Sequence, residues 1–380
     1  MMRKLSILFS NLTLNLLIAS LFTVLLGFID YKSGYELSFQ FFYFIPLFFV
    51  SYNYKIKRII LFIFSIFASL IWLISDFKSG HQYTYEFYFY WNAFSRFVIF
   101  TSFSLFLHSL VNQRYKINLL NNEISKKSNL IYDSINYAET IQQAIIPSFN
   151  TFKIYFEDSF MLFKPKDILS GDFFWSYKTN DEILFALVDC TGHGVPGSLL
   201  STVGNILLNK IVIEKDIVNP PEVLANLNKE LITLFNNGDK SIDDGMEISF
   251  VKYMPEKHEI EISQTSQNAI IIDNESNLKE VKFSYFTIGG ILSKRKEPVY
   301  FSETFMMEHG NMLFLFSDGY VDQFGSSKDK KFGFQNFHQL IKSNYKKPVD
   351  QQRDIFEKTI LKWKGDFDQT DDITVIGIRF

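Results

Sequence analysis

Long apolar runs crowd the first third of the chain, and short apolar runs separated by polar turns fill the remainder. Leu5 to Phe28 is almost wholly apolar, interrupted chiefly by Asn11, Thr13 and Asn15. It is long enough to cross the roughly 30 Å hydrocarbon core of a bilayer. Leu37 to Tyr52, Ile59 to Ile74 and Phe89 to Val111 are read as three further spans, the first of these carrying Pro46 and the last Asn92 and Arg96. A cleaved signal peptide would show a shorter apolar core followed by a small-residue site. Arg3 and Lys4 precede the first span, Lys55, Lys57 and Arg58 separate the second and third, and Arg114 and Lys116 follow the fourth. This distribution predicts a four-helix membrane module over 1–111 with both termini cytoplasmic.

Beyond the membrane, Ile117, Leu120, Ile124, Lys127, Ile131, Ser134, Ala138, Ile141 and Ile145 alternate at spacings of three and four. That is a heptad seam, weakened by Lys127 and Ser134, and it predicts a coiled-coil linker over 112–147 that joins two copies of the chain. An amphipathic helix lying on its own domain has the same spacing. No proline or glycine interrupts the run before Pro147, which marks the start of a domain over 148–380.

In that domain, apolar runs near 173–177, 183–188, 248–253, 260–263, 312–317 and 373–378 read as strands. Helices are expected from Pro196 to Ile213, Pro221 to Phe235, Phe334 to Tyr345 and Val349 to Trp363. The fold class is therefore a helical membrane bundle followed by a helical linker and an α+β domain.

Candidate chemistry lies at the strand ends. The run 183–188 stops at Asp189, and Gly192 and Gly194 then permit a tight turn into a helix whose first turn holds Pro196. One such acid is an ordinary turn residue. Asp172, however, opens the preceding strand, and an antiparallel hairpin would bring it to the same edge as Asp189. Asp318 closes the run 312–317 and Asp371-Asp372 opens the run 373–378, so four strand-end acids are expected to share one edge. Carboxylates packed this densely repel unless cations lie between them. Hard oxygen donors without a cysteine or histidine cluster favour magnesium or manganese.

Charge and cysteine content narrow the class. A formal net charge of -3 and no basic run interleaved with aromatics argue against a nucleic-acid groove. The single cysteine, Cys190, excludes an intramolecular disulfide and reads as a small packing residue.

Five segments, in this order, resemble the SpoIIE-like branch of the metal-dependent (PPM) protein serine/threonine phosphatases. They are Lys164 to Trp175, Val188 to Gly197, Gly245-Met246-Glu247, Phe316 to Gly325 and Gln369 to Val375. The resemblance implies two packed antiparallel sheets flanked by helices. It implies that Asp172 and Asp189 hold one Mn2+ or Mg2+ ion and that Asp189, Asp318 and Asp371 hold a second, with Cys190 lending a backbone carbonyl. A water activated between two such ions attacks phosphate in line without a covalent enzyme intermediate. The implied substrate is a phosphorylated regulatory protein, such as an anti-sigma-factor antagonist.

Lys164 and Lys166 precede Asp172 closely enough for one to meet the phosphate, and Lys166 is the candidate. His193 could protonate the leaving oxygen, but it stands four residues after Asp189, whereas better-known relatives place theirs two after the acid. A role in the turn is the favoured reading. Glu247, Asp322 and Asp372 are not expected to be ligands.

Ile135 to Pro147 resembles the linker that enters SpoIIE-like domains. Phe42 to Pro46, with Trp91, Asn92 and Arg96, resembles four-span input modules of bacterial signalling proteins. Arg96 inside a span calls for a partner, and Asp76 is the nearest candidate. The expectation is a multi-pass signalling phosphatase of the bacterial cytoplasmic membrane, its catalytic domain cytoplasmic. A catalytically inactive PPM-fold module acting by partner binding is the alternative. A cyclase or kinase is disfavoured, since neither a P-loop motif nor a GG[DE]EF-like string occurs.

Overall fold

In the computed structural model, which describes residues 12–34, 37, 39–236, 243–266, 268–290, 297–325 and 330–380, Asn15, Ala19, Thr23, Leu26 and Asp30 form the buried row of helix α1 (Leu12–Ser33). Leu17 and Leu21 on its other side are 59% and 64% exposed. Helix α3 (Arg58–Lys78) repeats this arrangement, burying Ser65, Ala68, Ser69, Trp72 and Ser75 while Ile59 and Ile63 face outward. Small and polar residues share the inside of α3 with Leu61, Phe64 and Trp72, while large apolar residues also cover the outside, an exposure that suits a hydrocarbon surround rather than water.

These helices belong to the first of two compact units, Met1–Leu130, the second being Ile131–Phe380. Among the described residues, three helices are long and apolar enough to cross a membrane: α1, α3 and the first part of α4 (Glu86–Ile145). The start of the expected first span, with Arg3 and Lys4, lies outside the described residues.

The expected second span is shorter as a helix than its apolar run. It is a 3₁₀ turn (Gln40–Tyr43) followed by α2 (Phe44–Ser51), an eight-residue helix rising only about 12 Å. Its ends are nevertheless anchored along α1. The Phe39 N–H donates to the Asp30 carboxylate at 3.2 Å, and the Asn15 amide donates to the Phe49 carbonyl at 3.0 Å. At the Asn15 end, Tyr54 stacks on Tyr115 of α4 at 4.0 Å. Asp30, Asp76, Tyr83 and Arg96 gather at the opposite end.

In the second unit, six strands carry most of the architecture: β1 (Ser159–Lys164), β2 (Phe173–Lys178), β3 (Ile183–Cys190), β4 (Met246–Met254), β5 (Glu259–Gln264) and β6 (Ala269–Ile272). Four more complete the sheets: β7 (Leu278–Glu280), β8 (Glu303–Met306), β9 (Met312–Phe316) and β12 (Ile373–Arg379). A two-stranded ribbon, β10 (Phe324–Gly325) with β11 (Lys330–Lys331), stands apart. Two five-stranded antiparallel sheets result, ordered β1-β12-β9-β6-β7 and β2-β3-β4-β5-β8.

Phe185, Leu187, Val251 and Ile262 of the second sheet meet Leu313, Leu315, Ile376 and Ile378 of the first in the central core. The single turn α5 (Phe149–Phe152) precedes β1, and on the outer side of β3, Leu184, Ala186 and Val188 pack under α6 (Gly194–Leu208) and α7 (Pro220–Asn236). Both faces of β3 are thus covered, which is why its sequence is an unbroken apolar run rather than an alternation. The single turn α8 (Asp318–Val321) follows β9, and helices α9 (Gly333–Asn344) and α10 (Val349–Lys364) cover the other sheet through Phe337, Ile341, Phe356 and Ile360.

The division between units falls inside α4, upstream of Pro147. The last turns of α4 are bound into the second unit: the buried Gln142 amide donates to the Ser170 carbonyl at 2.7 Å and to the Ser201 hydroxyl at 2.8 Å. Asn205 donates to the Ile145 carbonyl at 3.2 Å.

Candidate active site

Register places the acids. Phe173 pairs with Val188, so Asp172 and Asp189, one residue beyond each, sit side by side. On the other sheet Val375 pairs with Phe316, bringing the Ser317-Asp318 exit of β9 beside the Asp371-Asp372 entry of β12. The expectation of four acids along one sheet edge is therefore corrected. Two come from each sheet, and they meet at one end of the sandwich because both hairpin-like pairs end there.

Asp372 joins the two halves. Its carboxylate accepts the backbone N–H groups of Lys166 and Gly171, each at 2.7 Å. Both of its oxygens are thus engaged, while the Asp371 carboxylate accepts only the Asp372 N–H, at 2.8 Å, among the described residues. The approach requires glycine at Gly171 and Gly319, where a Cβ would lie 2.7 Å from the Gly192 carbonyl and 2.0 Å from the Asp372 carbonyl. Across the sheets, the Thr374 hydroxyl donates to Asp172 at 2.5 Å.

Burial pushes the Asp172 carboxyl up to about 8, against the opposing hydrogen bonds of Ser317 and Thr374. Burial, then the charges of Asp172, Asp318, Glu247 and Asp371, hold Asp189 well above the usual carboxylate range. Asp318, more open to solvent, rises to about 6 through partial burial and then Asp371, Asp322 and Glu247. Burial likewise raises the Cys190 thiol, which makes it a poor nucleophile.

Among the described residues no three His, Cys, Asp or Glu side chains are arranged to hold a metal ion. The donor set still fits divalent cations. Burial raises both Asp172 and Asp189, and the charge of Asp172 raises Asp189 further, so the pair is costly to keep ionised without a counter-charge, which a hard cation would supply.

Around this cluster the other candidates separate. Lys164 forms an ion pair with Glu357 at 2.9 Å. Lys166 instead points its Nζ to the Thr370 carbonyl and to His193 Nε2, both at 2.9 Å. With Lys166 charged, Nε2 accepts and His193 Nδ1–H donates to Asp167 at 2.5 Å. His193 is also the residue preceding α6, after a turn in which Gly192 and Gly194 have φ of 85° and 66°. A Cβ on Gly194 would lie 2.9 Å from the Asp167 carboxylate, so the turn and the Lys166 loop are tightly fitted.

Sequence reasoning set Glu247 aside, yet it stands directly opposite Asp189 in the β3–β4 register, and its charge acts on Asp189 and Asp318. Its place in the Gly245-Met246-Glu247 segment was the available signal. Asp167, Ser317 and Thr374 also lie inside the quoted segments, but as neighbours of acids they carried no signal of their own. Asp322 pairs with Lys331 at 2.7 Å and ties its own loop to β11.

Two antiparallel sheets packed face to face, helices on both outer sides and carboxylates converging where strand ends of both sheets meet define the PPM, or PP2C, phosphatase fold. Within it, the family described as Stage II sporulation protein E (SpoIIE) matches residues 179–380, and the chain belongs to that family. It is 21% identical over 217 residues to phosphoserine phosphatase RsbU of Bacillus subtilis, an alignment covering 57% of this chain and 61% of RsbU. The chain thus spans less than two thirds of that relative. The SiaA-PP2C domain of Pseudomonas aeruginosa is similar in structure, with a TM-score of 0.61 and 25% identity over 67% of this chain and 98% of that domain.

Proposed function

We propose that the chain is a membrane-anchored, metal-dependent phosphatase that removes phosphate from serine or threonine of a regulatory protein. The observation that carries this reading is the convergence of Asp172, Asp189, Asp318 and Asp371 from two sheets onto one end of the sandwich. Asp172 and Asp189 would hold one Mn2+ or Mg2+ ion, and Asp189, Asp318, Asp371 and the Cys190 carbonyl a second. Such a pair supplies an acidified water and neutralises phosphate charge.

The chain's own residues do the positioning. Asp372 fixes the Lys166 loop by its backbone, leaving the Lys166 ammonium beside Thr370 as the cation available to a phosphate oxygen. His193 directs Nδ1–H at Asp167 and Nε2 at Lys166, so it orients the lysine and holds the turn rather than presenting a proton to a leaving group. RsbU is a phosphoserine phosphatase, which supports serine as the substrate residue. An anti-sigma-factor antagonist is the partner class that the family resemblance suggests.

Anchoring rests on α1, α3 and α4, and the basic groups Lys55, Lys57, Arg58, Arg114 and Lys116 favour a cytoplasmic Tyr54–Tyr115 end. With α2 anchored alongside α1, the chain crosses in four segments and both termini face the bacterial cytoplasm. The seam residues Ile117, Leu120, Ile124 and Ile131 are exposed, as a homodimeric coiled coil needs before it pairs. Control by the linker has a contact to act through, since Gln142 binds Ser170, two residues from Asp172.

Release of inorganic phosphate from a phosphoserine peptide by the full chain in nanodiscs tests the reading. Hydrolysis should require Mn2+ or Mg2+, stop on chelation, and fall by several orders of magnitude in Asp189→Asn. Full activity under chelation, or in that variant, would contradict it.

A further inference from the structure

The membrane unit keeps a second group of ionisable side chains that the phosphatase reading does not use. A cavity of about 140 Å³ opens at the end away from Tyr54 and Tyr115, lined by Asp30, Trp72, Asp76, Tyr83, Asn92 and Arg96 among others. Its size approaches that of a cavity that accepts benzene, about 150 Å³, so it admits a small molecule and not a peptide.

Opposite charges share this cavity without neutralising each other. The Arg96 guanidinium lies flat on Trp72, 3.4 Å from the ring centroid, and donates to the Asn92 carbonyl at 3.3 Å. Its Nε–H is buried without a hydrogen-bond partner, and no ion pair among the described residues includes it. Asp76, the partner expected from the sequence, is instead held by the Tyr83 hydroxyl at 2.7 Å and by His81 at 3.1 Å. Asp30 is held by the Phe39 N–H. A buried arginine in a spanning segment ordinarily pairs with an acid, because an isolated charge there is costly. Here both acids are restrained elsewhere, leaving a positive wall and a negative wall with a gap between them.

We propose that this cavity binds a small zwitterion of the free amino-acid class, its carboxylate on the edge of Arg96 and its ammonium on Asp76 and Asp30. Two carboxylates, Asp30 and Asp76, line the cavity against the single guanidinium of Arg96, which asks for a cationic group on the ligand. The unpartnered Arg96 donor asks for an anionic one, and a guanidinium edge matches a carboxylate geometrically. Asn92 and Arg96, singled out by the sequence, thereby gain a role, and the basic residues at the other end of the bundle turn this opening away from the cytoplasm. A phosphatidylethanolamine headgroup carries the same pair of charges, so the lipid must be controlled.

The test is thermal unfolding of the full chain in nanodiscs of phosphatidylglycerol alone, with each proteinogenic amino acid, sodium propionate or propylamine added. At least one small amino acid should raise the midpoint while propionate and propylamine do not. Asp76→Asn, which keeps the cavity's shape, and Arg96→Lys should each weaken that effect about tenfold or more in apparent affinity. The proposal is overturned if no amino acid raises the midpoint, if propionate or propylamine does so equally, if only phosphatidylethanolamine does, or if Asp76→Asn binds as the wild type.

Discussion

Helix α1 and strand β3 place opposite residues inside. In α1 the buried row is Asn15, Ala19, Thr23, Leu26, Gly27 and Asp30, small or polar apart from Leu26, and Leu17 and Leu21 face outward. In β3 every residue from Ile183 to Val188 is buried and apolar, and the acid comes only where the strand ends. The contrast fits two different surroundings: in hydrocarbon there would be little gain in burying leucine and packing would fall to small and polar groups, whereas water drives apolar chains inward. Both units still concentrate acids near the ends of their elements, Asp30 and Asp76 in one and Asp172, Asp189 and Asp318 in the other.

The comparison is most severely strained by cutting the phase between the units. Inserting four residues near Lys126 rotates one unit against the other and should lock or abolish phosphatase activity of the full chain in membranes, whereas seven residues restore the seam and should preserve it. Equal activity for both insertions would reduce the helix to a tether.

Matched surface substitutions sharpen it. Leu21 and Ile154 are 64% and 76% exposed, one in each unit. Leu21→Asp should cost about 2.5 to 3.5 kcal/mol in membrane-insertion assays. Ile154→Asp should shift the stability of the second unit by no more than about 0.5 kcal/mol in denaturant titration. Equal effects would remove the case for two different surroundings.

The smallest effect is the pH dependence of the metal-free second unit. Asp172 and Asp318 have folded values raised to about 8 and about 6, so between about pH 4 and pH 8 the folded state holds protons that the unfolded state has released. Stability should therefore fall as pH rises through that window, and Mn2+ should flatten the slope by replacing the protons. Urea unfolding followed by near-UV circular dichroism reads both; a rise in metal-free stability across the window would contradict the burial of these acids.

Much of this was legible in the sequence because it is local. The run 183–188, Asp189 and the glycine turn are one contiguous word, and the expected strand and helix boundaries differ from the observed ones by a few residues. The assignment of Asp318 and Asp371 to a different sheet from Asp172 and Asp189 was not legible, since strand order depends on pairings between distant segments. The charge that Glu247 exerts on Asp189 was hidden for the same reason: it arises only from the register between β3 and β4. The shortness of α2 was hidden by composition, because Leu37 to Tyr52 is apolar throughout much of its length while part of it is wound as a 3₁₀ turn.

Asp189, proposed as a ligand common to two divalent cations, is the residue on which the phosphatase reading depends most. Isothermal titration of Mn2+ into the chelator-stripped full chain measures this directly. Two ions per chain should bind to the wild type and none with comparable affinity to Asp189→Asn, while Asp322→Asn, whose carboxylate is engaged with Lys331, should bind as the wild type does. Unchanged binding stoichiometry in Asp189→Asn would contradict it.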